Sequence, residues 1–502
     1  YINSPNFEYL KSKATRSRVP DTYCNDLKNL LEYWEVNKLL YRNQDVQLTN
    51  IYENLSGAIR TYIRIKPLIN KERAKSSIEI RTIEKKKIKG LTIDCSSVPN
   101  TKYKESLYFG EFYGIFEEDF TNLDVYTGQR GTVIQDPKSL IVNINDIIES
   151  SDTISPGLYT AFRQVEQGYS IVLFGYGVSG SGKTFSLIGS KGNPGILHYG
   201  LANLENVTNI RLKYAFEQYY DKINFNNRKV SGLIHNLINK ISQFKDVSVD
   251  ETNVFEKRIP NYIDLKSLKI EDIYSLTDII EKYRIEKKRI KSTPNNPVSS
   301  RSALYLVFEI TFNNGTRGFI TIVDMAGRES PVDIFNTFID TNKTSLASVM
   351  APPPVGGVVN IEKNIKEEYK SIYTPETILN ILNEGFYINE NINHLVYYFN
   401  MKNGVKIPTP KQKLDERYNV IYNLKNYFVQ PQDEEKMIDN INNSLQIPIL
   451  KFLDNLPSKK SDTPDSVWKP TKFITLCCIR QEADYCDQTM ETIQFAQNVK
   501  SS

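Results

Sequence analysis

Apolar runs with the length of buried strands recur along the chain between residues 58 and 480. They lie at residues 58–65, 170–174, 210–220, 304–312, 319–323 and 473–479. The run at 210–220 alternates apolar and polar positions, which is typical of a half-buried strand. Segments with helical periodicity separate several of these runs. This alternation predicts an α/β fold with a large mixed central β-sheet flanked by helices on both faces.

Residues 1–57 precede the first predicted strand and have a different pattern. Leu27, Leu30, Leu31 and Trp34 follow the i, i+3, i+4 and i+7 spacing of an amphipathic helix. We therefore expect an N-terminal helical extension at residues 1–57, followed by one large domain at residues 58–502.

Composition and charge limit the classes of protein to which this chain can belong. The 502 residues are 40% hydrophobic, as in a soluble globular protein, and the net charge of +4 is too small to favour a nucleic-acid or membrane partner. No run reaches the roughly 18 to 20 apolar residues of a membrane helix, and the first residues carry no apolar signal segment. The five cysteines lack metal-ligand spacing, so we expect reduced thiols in a cytoplasmic protein.

Residues 177–184 carry the strongest chemical signal. They read GVSGSGKT, and they follow the predicted strand at 170–174 and precede a segment that can begin a helix. Glycines let backbone N–H groups wrap around phosphates, and the start of a helix adds a partial positive charge. Lys183 would neutralise phosphate oxygens, and the Thr184 hydroxyl would ligate Mg2+. The pattern predicts a nucleoside-triphosphate site, the alternative being a chance glycine-rich turn.

Two later segments complete a set of three motifs. Residues 295–303 read NNPVSSRSA, and residues 322–329 read IVDMAGRE. This order resembles the kinesin motor domain; myosins share it, but the residues flanking the phosphate loop, 174–177 (FGYG) and 195–197 (GIL), are similar to those of kinesins. The similarity extends to 64–68 (RIKPL), which resembles the R-x-R-P segment that contacts adenine and ribose. It also includes residues 388–395, which are similar to I-N-x-S-L-x-x-L, and residues 473–502, which resemble the last strand and helix of the motor core.

The resemblance implies ATP or ADP with Mg2+ as cofactors and assigns a role to each matched residue. The nucleotide would be bound by Arg64, Pro67, Tyr126, Gly177, Val178, Ser179, Gly180, Ser181, Gly182, Lys183, Thr184 and Phe185. Mg2+ would be held by Thr184, Ser300 and, through water, Asp324. The catalytic set would be Asn296, Ser299, Arg301, Gly327 and Glu329, with Arg301 pairing with Glu329. Core packing is the alternative for Tyr126, and a surface ion pair is the alternative for Arg301 and Glu329.

The chain also departs from the family pattern. Expansions are expected near 127–151, 332–386 and 401–445, and the proline- and glycine-rich residues 351–357 predict a flexible loop. Ala303 and Arg328 stand where the family has histidine and serine. Residues 447–453 (IPILKFL) replace the charged segment that touches tubulin, and only Lys451 keeps a charge.

Two functions follow from the resemblance. The first is a Mg2+-dependent, kinesin-like ATPase that couples hydrolysis to switch movement and microtubule binding, and that is associated with the cytoskeleton. Its microtubule surface would include the basic stretch Lys402, Lys406, Lys411, Lys413 and Arg417, unless these residues are simply a solvated surface. The second is a kinesin-derived binding or structural protein that keeps the nucleotide site without motor activity.

Overall fold

The computed structural model describes the strands and helices of the large domain. The described residues are 59–68, 78–85, 88–99, 101–134, 140–143, 157–190, 192–220, 232–237, 263–264, 270–287, 290–293, 296–328, 331–340, 342–344, 358–402, 446–454, 456 and 471–499. The predicted N-terminal extension, the proline- and glycine-rich residues 351–357 and the basic residues 406–417 lie outside them.

Sixteen strands are defined within the described residues. They are β1 Arg60–Ile65, β2 Glu79–Lys85, β3 Ile88–Asp94, β4 Ser106–Phe112, β5 Gly114–Phe116, β6 Ser170–Tyr176, β7 Gly189–Ser190, β8 Asn193–Pro194, β9 Val207–Tyr220, β10 Gly232–Asn236, β11 Ile263–Asp264, β12 Ile290–Thr293, β13 Asn296–Ser300, β14 Ser302–Phe312, β15 Arg317–Asp324 and β16 Thr471–Ile479. Each apolar run predicted as a strand is a strand here: β1, β6, β9, β14, β15 and β16.

Helices flank the strands. They are α1 Asn122–Thr127, α2 Tyr159–Glu166, α3 Lys183–Leu187, α4 Ile196–Ala202, α5 Ile270–Glu286, α6 Pro331–Phe338, α7 Val358–Asn364, α8 Glu367–Lys370, α9 Pro375–Lys402, α10 Gln446–Asp454 and α11 Cys486–Val499. Within the described residues, no helix is long and apolar enough to cross a membrane.

The central sheet is mixed, as the sequence predicts. Its strand order is β10-β9-β14-β15-β6-β16-β1-β5, with β11 also paired to β9. The pairs from β15 to β5 are parallel, whereas β10, β9, β14 and β15 pair antiparallel. The parallel half brings the carboxyl ends of β15, β6, β16 and β1 to one edge, which is where ligands bind in open α/β sheets.

The alternation of side chains along β6 explains why helices cover both faces of the sheet. Ile171 and Leu173 belong to one hydrophobic cluster, to which α1 to α5 contribute, and Val172 and Phe174 belong to a second, to which α9, α10 and α11 contribute. Successive strand residues point to opposite faces, so a strand that is apolar at every position needs cover on both sides. The predicted α/β class with a large mixed sheet and helices on both faces is confirmed.

The structure also contains strands and helices that the sequence patterns did not predict. Strands β2, β3 and β4 form a separate antiparallel sheet that no sequence pattern indicated. Residues 331–340 and 358–382 form α6, α7, α8 and the start of α9, and they share a hydrophobic cluster of their own that includes Phe338, Ile361 and Leu382. In α10, Ile449, Leu450, Phe452 and Leu453 are buried in the main core.

The expectation that all cysteines are reduced thiols is corrected by the structure. Cys95 and Cys486 form a disulfide that joins the segment after β3 to the start of α11, across a sequence separation of 391. A pair so distant in sequence has no local signature. Cys477 and Cys478 are buried without a disulfide and belong to different hydrophobic clusters, because neighbours in β16 face opposite sides of the sheet.

Candidate nucleotide-binding site

The phosphate loop leaves the carboxyl end of β6 and leads into α3. Gly177, Gly180 and Gly182 have positive φ angles of 143°, 74° and 95°. A Cβ atom on Gly177 would lie 2.2 Å from the Cys478 carbonyl oxygen. Gly177 therefore has neither the backbone angle nor the space for a side chain, and the glycine spacing of the motif follows from the shape of this turn.

Lys183 curls back over the loop. It is only 5% exposed, and its Nζ donates hydrogen bonds to the carbonyl oxygens of Gly177 at 2.9 Å and Val178 at 3.0 Å. The Ser181 hydroxyl is buried and has no hydrogen-bond partner among the described residues. A lysine held by neutral carbonyls, beside an unsatisfied hydroxyl, suits a loop that receives an anion, because the lysine gains a stronger charge-assisted bond when phosphate arrives.

A second lysine approaches the loop from β1. The Nζ of Lys66 donates to the Gly180 carbonyl oxygen at 2.8 Å. Partial burial and the nearby Arg480 charge lower the pKa of Lys66 from its usual value. In the segment 64–68, Lys66 stands at the position of the second arginine of R-x-R-P, and the structure places its amine at the phosphate loop.

Thr184 and Asp324 are brought together as the metal prediction requires. The Thr184 hydroxyl donates to Asp324 Oδ2 at 2.8 Å. Asp324 is fully buried at the end of β15, and its Oδ1 has no hydrogen-bond partner within the described part of the chain. A buried carboxylate oxygen without a donor costs free energy, and hard oxygen ligands are those that Mg2+ prefers. The residues present therefore fit a hydrated Mg2+ ion.

Ser300, the third predicted metal ligand, reaches this group through an arginine. Its hydroxyl donates to the Ser302 carbonyl oxygen at 3.1 Å and accepts a hydrogen bond from Arg284. Arg284 NH1 in turn lies 3.6 Å from Asp324 Oδ2. Thr184, Asp324 and Ser300 are thus linked in one polar group, in which Asp324 is buried, Ser300 is half-buried and Thr184 is exposed.

The later of the two motif segments, residues 322–329, is called the second switch below, and its residues 325–328 pack directly on the phosphate loop. A Cβ atom on Gly327 would lie 2.8 Å from Ser179 Cα, so no side chain fits between the two backbones. The Arg328 N–H donates to the Gly177 carbonyl oxygen at 3.3 Å, and the Met325 N–H donates to the Gly175 carbonyl oxygen at 3.4 Å. Residues 325–328 are therefore in direct contact with the phosphate loop.

Arg328, which stands where the family pattern has serine, also contacts residues outside the phosphate loop. Its guanidinium donates to the Tyr176 hydroxyl at 3.2 Å and lies 3.5 Å from Glu491 of α11. Tyr176 stacks on Phe495 of the same helix, with ring centroids 3.7 Å apart. The substituted position therefore joins the second switch to the last helix of the domain.

The earlier of the two motif segments, residues 295–303, is called the first switch below, and it contains a strand. Asn296–Ser300 forms β13, which pairs antiparallel with β12. The backbones of Asn296 and Ser299 lie in this hairpin, and their side-chain roles stay predictions. Arg301 is buried, and its guanidinium bonds to Glu384 at 3.1 Å and to the Ile381 carbonyl oxygen at 2.9 Å, which anchors the switch to α9.

Glu329 lies outside the described residues. The predicted ion pair between Arg301 and Glu329 therefore stays a prediction. The contacts described for Arg301 show that its guanidinium is already bound to α9 in this state, which the sequence did not indicate.

Arg64, which is predicted to contact the nucleotide, supports the start of α3 through hydrogen bonds. It is 7% exposed and donates to the Ser186 hydroxyl at 2.7 Å and to the Phe120 carbonyl oxygen at 3.0 Å. Burial lowers the pKa of Arg64. The predicted contact of Arg64 with the nucleotide stays a prediction, and its described contacts support the start of α3. Its guanidinium lies 5.8 Å from the ring of Phe185, which is 43% exposed, and Pro67 is exposed nearby in sequence.

The prediction that Tyr126 binds the nucleotide is corrected by the structure. The residue is 1% exposed and lies in the core, with its ring 5.9 Å from that of Tyr199 and 6.0 Å from that of Phe162. Burial raises the pKa of its hydroxyl. Every residue of α1 is buried, so a base has no access to this ring, and the alternative of core packing describes it.

Arg284 and Glu217 are the residues that the sequence did not indicate. Arg284 is 3% exposed near the end of α5, Glu217 is fully buried in β9, and Nε and Oε1 lie 3.1 Å apart. Neither residue belongs to one of the three motifs. Arg211 and Lys213 also lie in the alternating run 210–220, so a charge at position 217 gave no sign of burial or of a partner.

Comparison with known proteins agrees with the motifs. Residues 149–336 match the family described as the kinesin motor domain. Kinesin-like protein KIN-14E of Arabidopsis thaliana is 24% identical over 303 residues, which is 58% of this chain and 20% of that protein. Kinesin-like protein KAR3 of Saccharomyces cerevisiae is 24% identical over 310 residues, which is 59% of this chain and 37% of that protein. The match therefore spans well under two thirds of either relative.

A solved structure of the KAR3 motor domain aligns over 88% of this chain and 99% of that one, with 17% identity and a TM-score of 0.45. The resemblance predicted from the phosphate loop and the two switch segments is confirmed by the family match and the curated relatives.

Proposed function

Because the chain carries a kinesin-like motor domain, we propose that it is a Mg2+-dependent ATPase that couples hydrolysis to switch movement and microtubule binding. One set of contacts supports this function most directly. Lys183 covers the glycine loop, Thr184 bonds to a buried Asp324, and Gly327 packs against Ser179 of the same loop. Phosphoryl transfer depends on such positioning and charge neutralisation more than on covalent chemistry.

Each residue would have a defined task. Lys183 would exchange the carbonyls of Gly177 and Val178 for phosphate oxygens, and the open space at Gly182 would admit the phosphates. The Thr184 and Ser300 hydroxyls would hold Mg2+, with Asp324 bonding its water. The bound ion would neutralise charge that develops on the phosphates.

The remaining roles follow the family pattern. Asn296 and Ser299 would position the γ-phosphate and the attacking water, and the Gly327 N–H would bond to the γ-phosphate. Glu329 would relay the proton of that water. Arg301 would pair with Glu329 when the switches close, which requires it to give up its present contact with Glu384.

Movement would arise where the second switch touches the phosphate loop. The backbones of Ser179 and Gly327 are too close to move independently, so loss of the γ-phosphate contact would shift the switch between two states. Residues 58–502 would form this motor domain and residues 1–57 a helical extension. The protein would be cytoplasmic and associated with microtubules.

A second candidate function rests on α10. This helix replaces the charged tubulin-contact segment, and its Ile449, Leu450, Phe452 and Leu453 are buried while Lys451 is exposed. A protein with this surface would keep the nucleotide site but act as a binding or structural protein.

Steady-state ATP hydrolysis with and without polymerised tubulin separates the two. We expect Mg2+-dependent hydrolysis that polymerised tubulin accelerates, and no hydrolysis in EDTA. Hydrolysis without any effect of tubulin would favour the second function, and no hydrolysis in Mg2+ would exclude the first.

The basic stretch is tested in the same assay. Replacing Lys402, Lys406, Lys411 and Lys413 by alanine should weaken stimulation by tubulin, because microtubules are acidic. A matched control neutralises four lysines elsewhere: Lys343, Lys363, Lys366 and Lys370. Equal loss in both variants, or in neither, would contradict a specific role for the stretch.

A further inference from the structure

A buried arginine lies among the proposed metal ligands. Arg284 NH2 donates to the Ser300 hydroxyl and, at 3.1 Å, to the Ser302 carbonyl oxygen. Its NH1 lies 3.6 Å from Asp324 Oδ2, the oxygen that accepts from Thr184. The guanidinium thus contacts two of the three groups that would hold Mg2+.

The arginine is fixed in this position from the other side. Its Nε pairs with the fully buried Glu217 at 3.1 Å, and the Ser302 hydroxyl donates to the same carboxylate oxygen. One guanidinium therefore lies between two buried carboxylates, Glu217 on β9 and Asp324 on β15. The planar fork of arginine suits such a bridge, which a lysine could not span in the same way.

The bridge has a second half beyond the pair with Glu217. Pairing with Glu217 would already fasten α5 to the sheet, yet the guanidinium extends past it to Ser300 and Asp324. Asp324 is fully buried, and the guanidinium supplies the counter-charge that a buried carboxylate requires.

We propose that Arg284 is the resident cation of the metal site and that it weakens the binding of divalent metal. Mg2+ requires oxygen ligands at about 2.0 to 2.1 Å. Of the two lone pairs of the Ser300 hydroxyl, one accepts a hydrogen bond from Arg284, so the guanidinium competes with an ion for this oxygen. The ion would share this oxygen with the guanidinium and would be repelled by its positive charge, which lies 3.6 Å from Asp324 Oδ2, so removal of Arg284 should raise the affinity for Mg2+. This inference rests on the proposed nucleotide function.

The test measures the Mg2+ concentration at half-maximal slowing of the release of a fluorescent ADP. The main variant is Arg284→Gln with Glu217→Gln, which keeps a neutral hydrogen-bonded pair and leaves no unpaired buried charge. We expect the half-saturating Mg2+ concentration to fall at least tenfold, which corresponds to about 1.4 kcal/mol. The single variant Glu217→Gln retains the guanidinium, and its half-saturating concentration should not fall.

Arg163→Gln is the matched control. Arg163 also bridges two carboxylates, Glu166 at 3.1 Å and Glu205 at 2.8 Å, but it lies on α2 away from the phosphate loop. Its Mg2+ dependence should equal that of the unaltered protein. If the double glutamine variant does not fold, Arg284→Met with Glu217→Met replaces it, since apolar residues often substitute for a buried pair without loss of stability.

The possible results separate failure of this inference from failure of the proposed function. Unchanged or weaker Mg2+ binding in the double variant, with ADP still bound in EDTA, overturns the inference and makes Arg284 a structural anchor. Loss of ADP binding by every form of the protein, the unaltered one included, overturns the proposed function and this inference with it.

Discussion

Gly327→Ala is the substitution whose effect the structure determines most sharply. The added Cβ would lie 2.8 Å from Ser179 Cα and 2.9 Å from Ser179 N and Cβ. These are atoms of the phosphate loop and mostly backbone, so neither segment can relieve the contact by turning a side chain. The loop and the second switch would have to separate.

The magnitude follows from two opposing terms. Overpacking a tight contact costs about 1 to 3 kcal/mol, and replacing glycine by alanine returns about 0.4 to 1 kcal/mol by restricting the unfolded chain. The two terms differ by about 0 to 2.6 kcal/mol, and because the contacted atoms are mostly backbone we expect the upper half of that range, a net loss of about 1.3 to 2.6 kcal/mol in the free energy of unfolding, measured by urea denaturation without nucleotide. Separation of the loop from the switch should also weaken ATP binding.

Gly110→Ala is the matched control. The three atoms nearest to its Cβ would all belong to the Tyr108 side chain, the nearest at 2.2 Å, and that ring is 55% exposed, so a turn of this side chain can relieve the contact. The cost there should be within about 0.5 kcal/mol of zero. Equal stability of Gly327→Ala and the unaltered protein, or equal losses in the two variants, would refute the contact between loop and switch.

Two further predictions concern acid sensitivity and the base. Burial lowers the pKa of His198 from 6.5 to about 4, so the folded protein holds its imidazole neutral near neutral pH. The unfolded chain takes up a proton at this residue as the pH falls below 6.5. The free energy of unfolding should therefore decrease between pH 6.5 and pH 4, by about 3 kcal/mol in total. His198→Gln should remove that part of the loss in urea denaturation followed against pH, and an unchanged pH profile would contradict it. Phe185→Ala should weaken ADP binding about tenfold or more, since stacking on an aromatic ring is worth about 1 to 3 kcal/mol per base. Tyr126→Phe should leave ADP affinity unchanged in the same titration, and a loss there equal to that of Phe185→Ala would restore Tyr126 as the base platform.

Local patterns in the sequence were enough for the core of the site. The strand β6, the turn after it and Asp324 at the end of β15 each have their own signature, because a buried strand must be apolar and a tight anion-binding turn must contain glycine. Their assembly at one sheet edge then follows from parallel pairing, in which Asp324 lies opposite Gly175.

Other features depend on partners distant in sequence. Arg284 is a site residue only because α5 lies on β9 beside Glu217, and no spacing rule links positions 217, 284 and 324. The burial of Tyr126 is set by α2 and α4, not by its own helix. The disulfide between Cys95 and Cys486 joins residues 391 positions apart, so the cysteine spacing held no sign of it.

The binding and hydrolysis of Mg2+-ATP by the unaltered protein and by Lys183→Ala test the central claim most directly. Lys451→Ala, an exposed lysine of α10, is the control for loss of a positive charge. Lys183 is the cation that covers the phosphate loop, so we expect its variant to lose ATP affinity or turnover by at least 100-fold while Lys451→Ala keeps both. Turnover that is the same with and without the Lys183 amine would contradict the assignment of this loop as the nucleotide site.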